Sequence, residues 1–425
     1  MKTSMEIKSV IKHNSKRALQ YALSFLKWVL IAAFTGAIGG GIGAAFRYAI
    51  EYVTAFRMEN EWMCYLLPLG GLVIALLYRV TKLSGHADTN LIINSVRTDE
   101  KIPILLAPVI FVSTVITHLF GGSAGREGAA LQLGGCIGSF IGRAVKLNEK
   151  EIPIAVMCGM SGLFSALFGT PLTAALFAME VISVGIIYYS AFVPCLVSSL
   201  SAFGVTYLLG LSPLNFTLTV IPQLNPVNLL LIAALGVGCA LVSIVFCLAL
   251  KWTHKLAAKY FKNEYLRVAV GGTAVVLLTL LFGTRYAGTG GLIILPAIES
   301  GEALPYDFIL KIVFTALTIG FGYKGGEIIP TFCIGATFGV VVGSLIGLPP
   351  QFAAAVGLVS LFCAVVNCPI ASLVLSVELF GGAGIIFFGV SIAVSYMLSG
   401  YYSLYSGQKI MYSKRRARFI NKNAK

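Results

Sequence analysis

The stretch GGSAGREGAA, residues 121–130, places Arg126 and Glu127 within a long apolar part of the chain. Its glycines allow several backbone N–H groups to point at one ligand, and such a nest at the start of a helix binds anions. A charged side chain at the centre of a membrane costs about 2.5–3.5 kcal/mol on insertion scales. The two charges beside this nest therefore indicate a functional site, although a structural pair of Arg126 with an acid is an alternative.

The same stretch is one copy of a pattern that recurs later in the chain. Residues 125–134, GREGAALQLG, correspond to residues 326–335, GEIIPTFCIG, and share their glycine spacing. Farther along, a proline and a glutamate nine residues apart occur in both halves: Pro171 with Glu180, and Pro369 with Glu378. These marks predict an internal repeat, with halves at about residues 28–210 and 226–408.

Two membrane halves with interrupted helices in matching places are typical of transporters and channels whose site lies between the repeats. Interrupted helices direct their positive N-terminal ends towards that site, which favours an anion. The carboxylate of Glu127 would compete with the anion for the same N–H groups. The sequence thus predicts that Glu127 blocks the pathway when ionised and opens it when protonated.

The composition places the whole chain in a membrane. Of its 425 residues, 57% are hydrophobic and 11% are charged, whereas soluble domains carry about 25% charged residues. We predict an all-α polytopic protein with about 16–18 tilted and partly re-entrant helices. Apolar stretches lie at 28–50, 102–120, 186–209, 229–250, 268–282 and 385–398. Several approach or exceed the roughly 20 residues needed to span hydrocarbon as a helix, and others are shorter.

Basic residues are concentrated at both ends of the chain, whose formal net charge is +14. Residues 1–27 and 409–425 form basic segments that flank the membrane domain. Cytoplasmic segments carry the excess of lysine and arginine, so we expect both termini in the cytoplasm, and no nucleic-acid partner. The nine cysteines lie almost entirely in apolar segments without a CxxC pair, which predicts free, buried thiols rather than a metal site.

Four motifs, taken in order, resemble those of the CLC chloride channel and transporter family. Gly125-Arg126-Glu127-Gly128 resembles the GREG signature that carries the gating glutamate, and residues 326–330 match the second motif, GxFxP, at its glycine and proline. Residues 362–378 resemble the helices that follow. Tyr405, within SLYS, resembles the tyrosine whose hydroxyl contacts the central anion. The resemblance covers about residues 28–408.

The resemblance implies the family's inverted-repeat fold, its twofold dimer and, since the family's cytoplasmic nucleotide-binding modules are not found here, a bacterial inner membrane. Chloride or a related anion and protons are the implied partners, and Glu127 is the gate and outer proton acceptor. Overlay of the repeats sets Glu327 opposite Arg126, which suggests a buried ion pair; a pair of Glu327 with Lys324 is the alternative. The implied anion-binding residues are Gly85, His86, Ala87, Asp88, Thr89, Gly125, Arg126, Gly128, Ala129, Ile328, Ile329 and Tyr405.

The chain departs from the family's usual pattern in its first anion-binding loop, which normally reads GSGIP. Here the spacing gives residues 85–89, GHADT, so His86 takes the serine position unless a gap lets Thr89 supply a hydroxyl. The fluoride-exporting branch also replaces this serine. The second motif of that branch resembles Gly325-Gly326-Glu327 followed by IGAT at 334–337. Fluoride is therefore an alternative to chloride.

A second departure concerns protons. Many CLC antiporters carry a proton-accepting glutamate directly after the structural one, but here Val181 follows Glu180. Retention of Glu127 favours proton exchange, with passive conduction as the alternative. Because Glu180 and Glu378 occupy equivalent positions in the two halves of the repeat, we interpret both as structural acids at helix ends.

An enzyme is a remote alternative. Residues 159–162, GMSG, match the GxSG of intramembrane serine proteases, which need a histidine base. Only His118 lies clearly inside an apolar span. The sequence shows no P-loop, dinucleotide or other cofactor motif, so we expect no cofactor and a transporter rather than an enzyme.

Overall fold

The computed structural model describes the backbone of residues 2–83, 88–98, 100–218 and 220–425, and side chains from residue 14 onwards except residue 15. These residues contain sixteen α-helices, in agreement with the predicted all-α fold. They are α1 Lys2–Glu59, α2 Leu67–Val80, α3 Thr89–Ser95, α4 Leu106–Leu119, α5 Glu127–Ala144, α6 Ile152–Phe168, α7 Pro171–Glu180, α8 Phe192–Leu208, α9 Pro226–Tyr260, α10 Glu264–Phe282, α11 Gly291–Glu299, α12 Asp307–Gly320, α13 Ile328–Leu345, α14 Pro350–Val366, α15 Pro369–Phe380 and α16 Ile385–Leu398. Short 3₁₀ segments lie at Glu61–Leu66, Tyr189–Ala191 and Thr284–Tyr286.

The helices differ widely in length. Within the described residues, six are long and apolar enough to cross a membrane: Lys16–Glu59, Glu61–Val80, Tyr189–Leu208, Pro226–Tyr260, Glu264–Phe282 and Ile328–Leu345. The 35 residues of α9 extend roughly 50 Å at 1.5 Å per residue, far beyond the ~30 Å hydrocarbon core, so this helix must tilt or protrude. Five apolar helices of 10–17 residues are too short to cross upright, as expected of interrupted helices.

The repeat appears as two matching trios of helices, α5–α7 and α13–α15. The first two helices of each trio touch through glycines. A Cβ on Gly134 would overlap the backbone of Gly159, and a Cβ on Gly335 would overlap the backbone of Gly357. Small residues at such contacts allow the close helix approach on which packing in lipid depends. The glycine spacing that revealed the repeat is thus a helix-packing requirement.

The matching helices also end alike. Helix α6 ends at Gly169 and α14 at Asn367, both left-handed, with φ of 70° and 57°. Glycine tolerates this conformation without cost, and asparagine adopts it more readily than other residues with a Cβ. The Asn367 side chain is used in addition: its Nδ2 donates to the carbonyl of Tyr402 at 2.9 Å and to Oε1 of Gln408 at 3.1 Å. This residue therefore ties α14 to the C-terminal segment.

Each half caps a helix of the other half with a carboxylate. Glu180, at the end of α7, accepts hydrogen bonds from the backbone of Ile370 at 3.2 Å and Ala371 at 2.9 Å. Glu378, near the end of α15, accepts from Leu172 at 2.9 Å and Thr173 at 2.8 Å. Negative groups at helix N-termini are stabilising. These contacts agree with the interpretation of both acids as structural.

The basic tail at 409–425, expected as a simple flanking segment, is folded. Strand β2 (Lys409–Tyr412) pairs in parallel with β1 (Ser183–Val184), and β3 (Phe419–Asn423) pairs antiparallel with β2. Gln408 fixes the start of β2, since its Nε2 donates to the carbonyls of Val181 at 3.1 Å and Val366 at 2.8 Å. A small sheet is therefore added to the helical fold at the end of α7.

Candidate functional site

The N-termini of α5 and α13 meet head to head at two glycines. The backbone N–H of Gly125 donates to the carbonyl of Gly326 at 2.6 Å, and that of Gly326 donates back to Gly125 at 2.7 Å. The approach requires glycine, because a Cβ on Gly326 would lie 2.5 Å from the backbone nitrogen of Gly128. Each helix N-terminus carries about half a positive charge. The repeat therefore focuses two helix ends on one point.

Glu127 occupies that point. Its side chain is 0% exposed, and Oε2 accepts hydrogen bonds from the backbone of Arg126 at 3.0 Å and Ile329 at 3.2 Å. The other oxygen, Oε1, has no hydrogen-bond partner in the part of the chain that the structure describes. One carboxylate thus bridges the first turns of helices from both halves. An anion placed between the same N–H groups would have to displace it.

A cavity of about 270 Å³ lies beside this junction, and Thr89, Gln132, Glu327 and Tyr405 are among the residues that line it. The hydroxyl of Tyr405 is buried and has no hydrogen-bond partner among the described residues. Gln132 donates from Nε2 to Oγ1 of Thr89 at 3.2 Å, while its own Oε1 is unpartnered. Neutral hydroxyl and amide donors of this kind can hold an anion and still release it.

Glu327 faces this cavity rather than Arg126, so the predicted Arg126–Glu327 ion pair is wrong. Nη1 of Arg126 lies 3.8 Å from Oε1 of Glu51, and Nη2 donates to the carbonyl of Leu167 at 3.4 Å. Oε2 of Glu327 is buried, and no hydrogen-bond partner for it lies within the described ranges. The two side chains leave the helix junction in different directions, Arg126 towards α1 and α6 and Glu327 towards the cavity.

The alternative pair of Glu327 with Lys324 does not form either. Neither pair is among the ion pairs within 4.0 Å in the part of the chain that the structure describes. Lys324 instead lies with Nζ 4.3 Å from the ring centroid of Tyr78, a cation–π contact. Glu327 is therefore a partly buried acid, with one buried oxygen, that has no cationic partner at that distance among the described residues.

The loop at residues 85–89, which the sequence predicts to bind the anion, is described only in part, because Gly85, His86 and Ala87 lie outside the described residues. Asp88 is the N-cap of α3; its Oδ1 accepts from the backbone of Leu91 at 3.1 Å. The carboxylate is thus used for capping, and the neighbouring Thr89 brings its hydroxyl to the cavity wall.

The remaining candidates lie at the helix junction. Gly128, Ala129 and Ile328 are buried in the first turns of α5 and α13. Their part in binding an anion would be through the backbone. The side chain of Arg126 is turned away, so only its backbone N–H reaches Glu127.

Sequence reasoning missed much of the cavity wall. Gln132 could have been identified from the local sequence, because it is a lone amide five residues after Glu127 in a glycine-rich, apolar helix. His254 and Arg267 also line the cavity, but they come from the end of α9 and the start of α10. No short motif marks them, because only the fold brings these segments beside Tyr405.

The GMSG motif is explained by helix packing. The hydroxyl of Ser161 donates to the carbonyls of Cys158 and Cys195, each at 3.0 Å. A Cβ on Gly162 would lie 3.3 Å from the Cα of Gly36. These contacts join α6 to α8 and α1, and the protease alternative gains no support from them.

The chain is similar to proteins of known family and structure. The sequence model of a family described as voltage gated chloride channel matches residues 70–400. A chloride/fluoride channel protein of Pseudomonas syringae pv. tomato is 31% identical over 399 residues, which cover 91% of this chain and 87% of that protein.

The chain also resembles solved structures of antiporters. The crystal structure of a CLC-type fluoride/proton antiporter superposes with a TM-score of 0.87 at 32% identity, over 90% of this chain and 98% of that one. A slow cyanobacterial Cl⁻/H⁺ antiporter superposes with a TM-score of 0.77 over 88% of this chain and 94% of that one; at 19% identity it bears on the fold alone.

Proposed function

Since the chain belongs to the voltage-gated chloride channel family, we propose that it exchanges a small halide for protons across a membrane, and that fluoride is the halide it carries. The observation that carries the proposal is the position of Glu127, whose carboxylate bridges N–H groups of both halves at the junction of α5 and α13. A carboxylate held there by two backbone N–H groups supports an anion site at the junction.

The gate follows from the chemistry of this carboxylate. Ionised Glu127 holds the backbone N–H groups of Arg126 and Ile329 and excludes a free anion from them. Protonation removes the charge, weakens both hydrogen bonds and lets the halide take the N–H groups. In each cycle Glu127 takes up one proton when a halide replaces its carboxylate at the N–H groups. Proton movement is thus linked to halide movement.

A proton must also reach Glu127 from the cavity side. Val181 supplies no acid, and we assign this step to Glu327. Support comes from its position: it lines the same cavity as Tyr405 and has a buried, unpartnered oxygen. A Cβ on Gly128 would lie 3.3 Å from that oxygen, so Glu327 reaches the first turn of α5, the helix that carries Glu127.

Support for fluoride comes from the relatives and from the second motif. The Pseudomonas protein is named for chloride and fluoride, and the antiporter of known structure at 32% identity is named for fluoride and protons. Gly325-Gly326-Glu327 matches the fluoride branch as well. The hydroxyls of Thr89 and Tyr405 at the cavity suit a small anion that accepts hydrogen bonds strongly.

We propose that the cavity opens to the cytoplasm of a bacterial cell, and that both termini lie there. Helices α5 and α13 start head to head, so their far ends lie on opposite faces. Arg143 lies in the last turn of α5, and Lys146 and Lys150 follow it, whereas residues 345–351 at the end of α13 and after it carry no charge. The positive-inside tendency puts the end of α5 in the cytoplasm. Lys27 near the start of the first span pairs with Glu151 at 2.6 Å on that same face.

The test is transport by the purified protein in liposomes, with external fluoride or chloride and pH recorded together. Fluoride leaving down its gradient should drive protons inwards, so external pH rises, and the chloride signal should be smaller. Glu127→Gln should abolish proton movement. Glu51→Gln is the matched control, because it also removes a carboxylate near Arg126 but leaves the junction intact.

Each of the other possible results would contradict one part of the proposal. Faster chloride than fluoride exchange would overturn the fluoride assignment. Halide flux without protons would make the protein a passive channel, and no flux of either halide would contradict transport altogether. Chemical cross-linking of the same liposomes would test the homodimer that we propose from the family resemblance.

A further inference from the structure

A second cavity, of about 510 Å³, lies at the C-terminal sheet, away from the junction of α5 and α13. Five basic residues line it and no acidic one: Lys414, Arg415, Arg416, Arg418 and Lys425. We call the loop and strands at 409–425 the C-terminal hairpin. A cavity with this lining attracts an anionic group.

Among these basic side chains, Lys414 makes contacts that stabilise the fold. Nζ of Lys414 donates to Oδ1 of Asn367 at 2.5 Å and to the carbonyl of Tyr396 at 2.7 Å, and it lies 4.0 Å from the centroid of the Tyr396 ring. Lys414 is therefore held inwards and anchors the hairpin to α14 and α16.

The three arginines of the loop and Lys425 remain. Arg415, Arg416 and Arg418 are exposed, and none is in an ion pair within 4.0 Å in the described part of the chain. A guanidinium group presents paired donors that match phosphate oxygens bidentately. Three such groups around one cavity suit a phosphate better than a halide.

The hairpin also presents an aromatic pair outwards. Tyr412 of β2 and Phe419 of β3 are register partners, are 48% and 54% exposed, and have ring centroids 5.5 Å apart. Aromatic rings are enriched where a protein meets the interface between membrane and water. Arginines beside exposed rings, just beyond the end of α16, match the combination of charge and apolar surface at that interface.

We propose that the C-terminal hairpin binds the phosphate headgroup of an anionic phospholipid. Arg415, Arg416 and Arg418 hold the headgroup, and Tyr412 and Phe419 lie against the lipid interface. Basic residues near an anionic membrane surface strengthen binding by about fivefold each. Loss of all three arginines should therefore weaken binding on the order of 100-fold.

Bound lipid would also act on the anion pathway, because the hairpin is coupled to Tyr405. Strand β2 begins four residues after Tyr405, and Oγ of Ser403 donates to Oε1 of Gln408 at 3.0 Å while accepting from the backbone of Tyr405 at 3.2 Å. A headgroup that holds the hairpin still restrains this segment. This effect on transport rests on the proposed function, whereas lipid binding does not.

Binding is measured by native mass spectrometry of the full chain in detergent, with added phosphatidylglycerol or phosphatidylcholine. The triple change Arg415→Ala, Arg416→Ala and Arg418→Ala should remove most of the phosphatidylglycerol adduct. The matched control is Lys251→Ala, Lys255→Ala and Lys259→Ala on exposed turns of α9, which removes the same charge. Arg→Lys at the three loop positions keeps the charge, and should restore binding in part.

Equal loss in both alanine triples would overturn the proposal, because binding would then follow net charge alone. Equal binding of phosphatidylcholine would overturn it as well, and displacement of the adduct by inorganic phosphate at comparable concentration would assign the cavity to a soluble phosphate. In liposomes, phosphatidylglycerol should speed halide exchange by the unchanged protein and not by the arginine triple. Lipid binding without any halide flux would contradict the proposed function and leave the lipid site supported.

Discussion

The reciprocal caps between the halves give the sharpest prediction for stability. Glu180 is 6% exposed, and its two oxygens accept from the backbone of Ile370 and Ala371 at the start of α15. Glu180→Gln keeps the shape and one acceptor oxygen, but it turns an NH₂ group towards the other N–H. The change therefore removes one hydrogen bond and leaves a buried donor unpaired.

The size of the effect follows from these contacts. A hydrogen bond to a charged acceptor contributes about 1.5–3 kcal/mol, and the charge at a helix N-terminus adds about 0.3–1 kcal/mol. Glu180→Gln should therefore lower the free energy of unfolding by about 2–4 kcal/mol. Glu378→Gln breaks the equivalent bonds, but Glu378 is only half-buried, so water replaces part of the loss and the cost should be roughly half.

The assay is unfolding in detergent, followed by intrinsic fluorescence, with halide transport of the same variants in liposomes. Glu151→Gln is the control, because a surface ion pair such as Lys27–Glu151 is worth about 0–1 kcal/mol. The two caps join the same pair of helices, so the double variant should deviate from additivity by more than about 0.5 kcal/mol. Unchanged stability of Glu180→Gln with loss of proton transport would refute the structural role and make Glu180 a proton carrier.

Two further predictions test the site and the repeat. Tyr405→Phe removes a buried hydroxyl that has no hydrogen-bond partner among the described residues, so it should weaken halide binding by about 10-fold or more in isothermal titration without lowering the melting temperature; unchanged affinity would show that this hydroxyl does not contact the anion. Gly134→Ala forces a Cβ into the backbone of Gly159, whereas Gly204→Ala meets nothing within 4 Å. Only the first should reduce the yield of folded protein in size-exclusion chromatography, and equal yields would contradict the close contact of α5 and α6.

The repeat could be predicted from sequence because its marks are local. Glycine spacing follows from the contact of two adjacent helices, as at Gly134 and Gly159, and each proline marks the first turn of a helix. Glu127 stood out because a charge in an apolar segment is costly. Such features can be recognised within one segment of sequence, or by comparing two segments that share a pattern.

The predicted Arg126–Glu327 pair failed for a geometric reason. Residues related by a pseudo-twofold axis touch only where they lie close to the axis, as Gly125 and Gly326 do. One position farther along, equivalent side chains point in opposite senses about that axis. Arg126 therefore reaches α1 and α6, while Glu327 reaches the cavity. Alignment of repeats gives equivalence of position and does not by itself give contact.

The strands formed by residues 409–425 could not be predicted from the sequence, for a different reason. Its basic charge is visible in the sequence, but strand formation depends on an edge that another part of the chain provides. Ser183–Val184 supplies that edge more than two hundred residues earlier. Gln408 and Asn367 then fix the segment through side-chain contacts with α14. Non-local pairing of this kind leaves no pattern in the tail itself.

The difference between the halves at their junction explains how a symmetric scaffold can hold one gate. The position equivalent to Glu127 in the second half is Ile328, which has no charge. Two carboxylates at one junction would repel each other, whereas a single one can accept N–H groups from both halves, as Glu127 does from Arg126 and Ile329. The second half therefore contributes its helix end without a competing anion. In the proposed function, the backbone repeat would build the anion site, and the break in the repeat at this position would let protonation of a single residue open it.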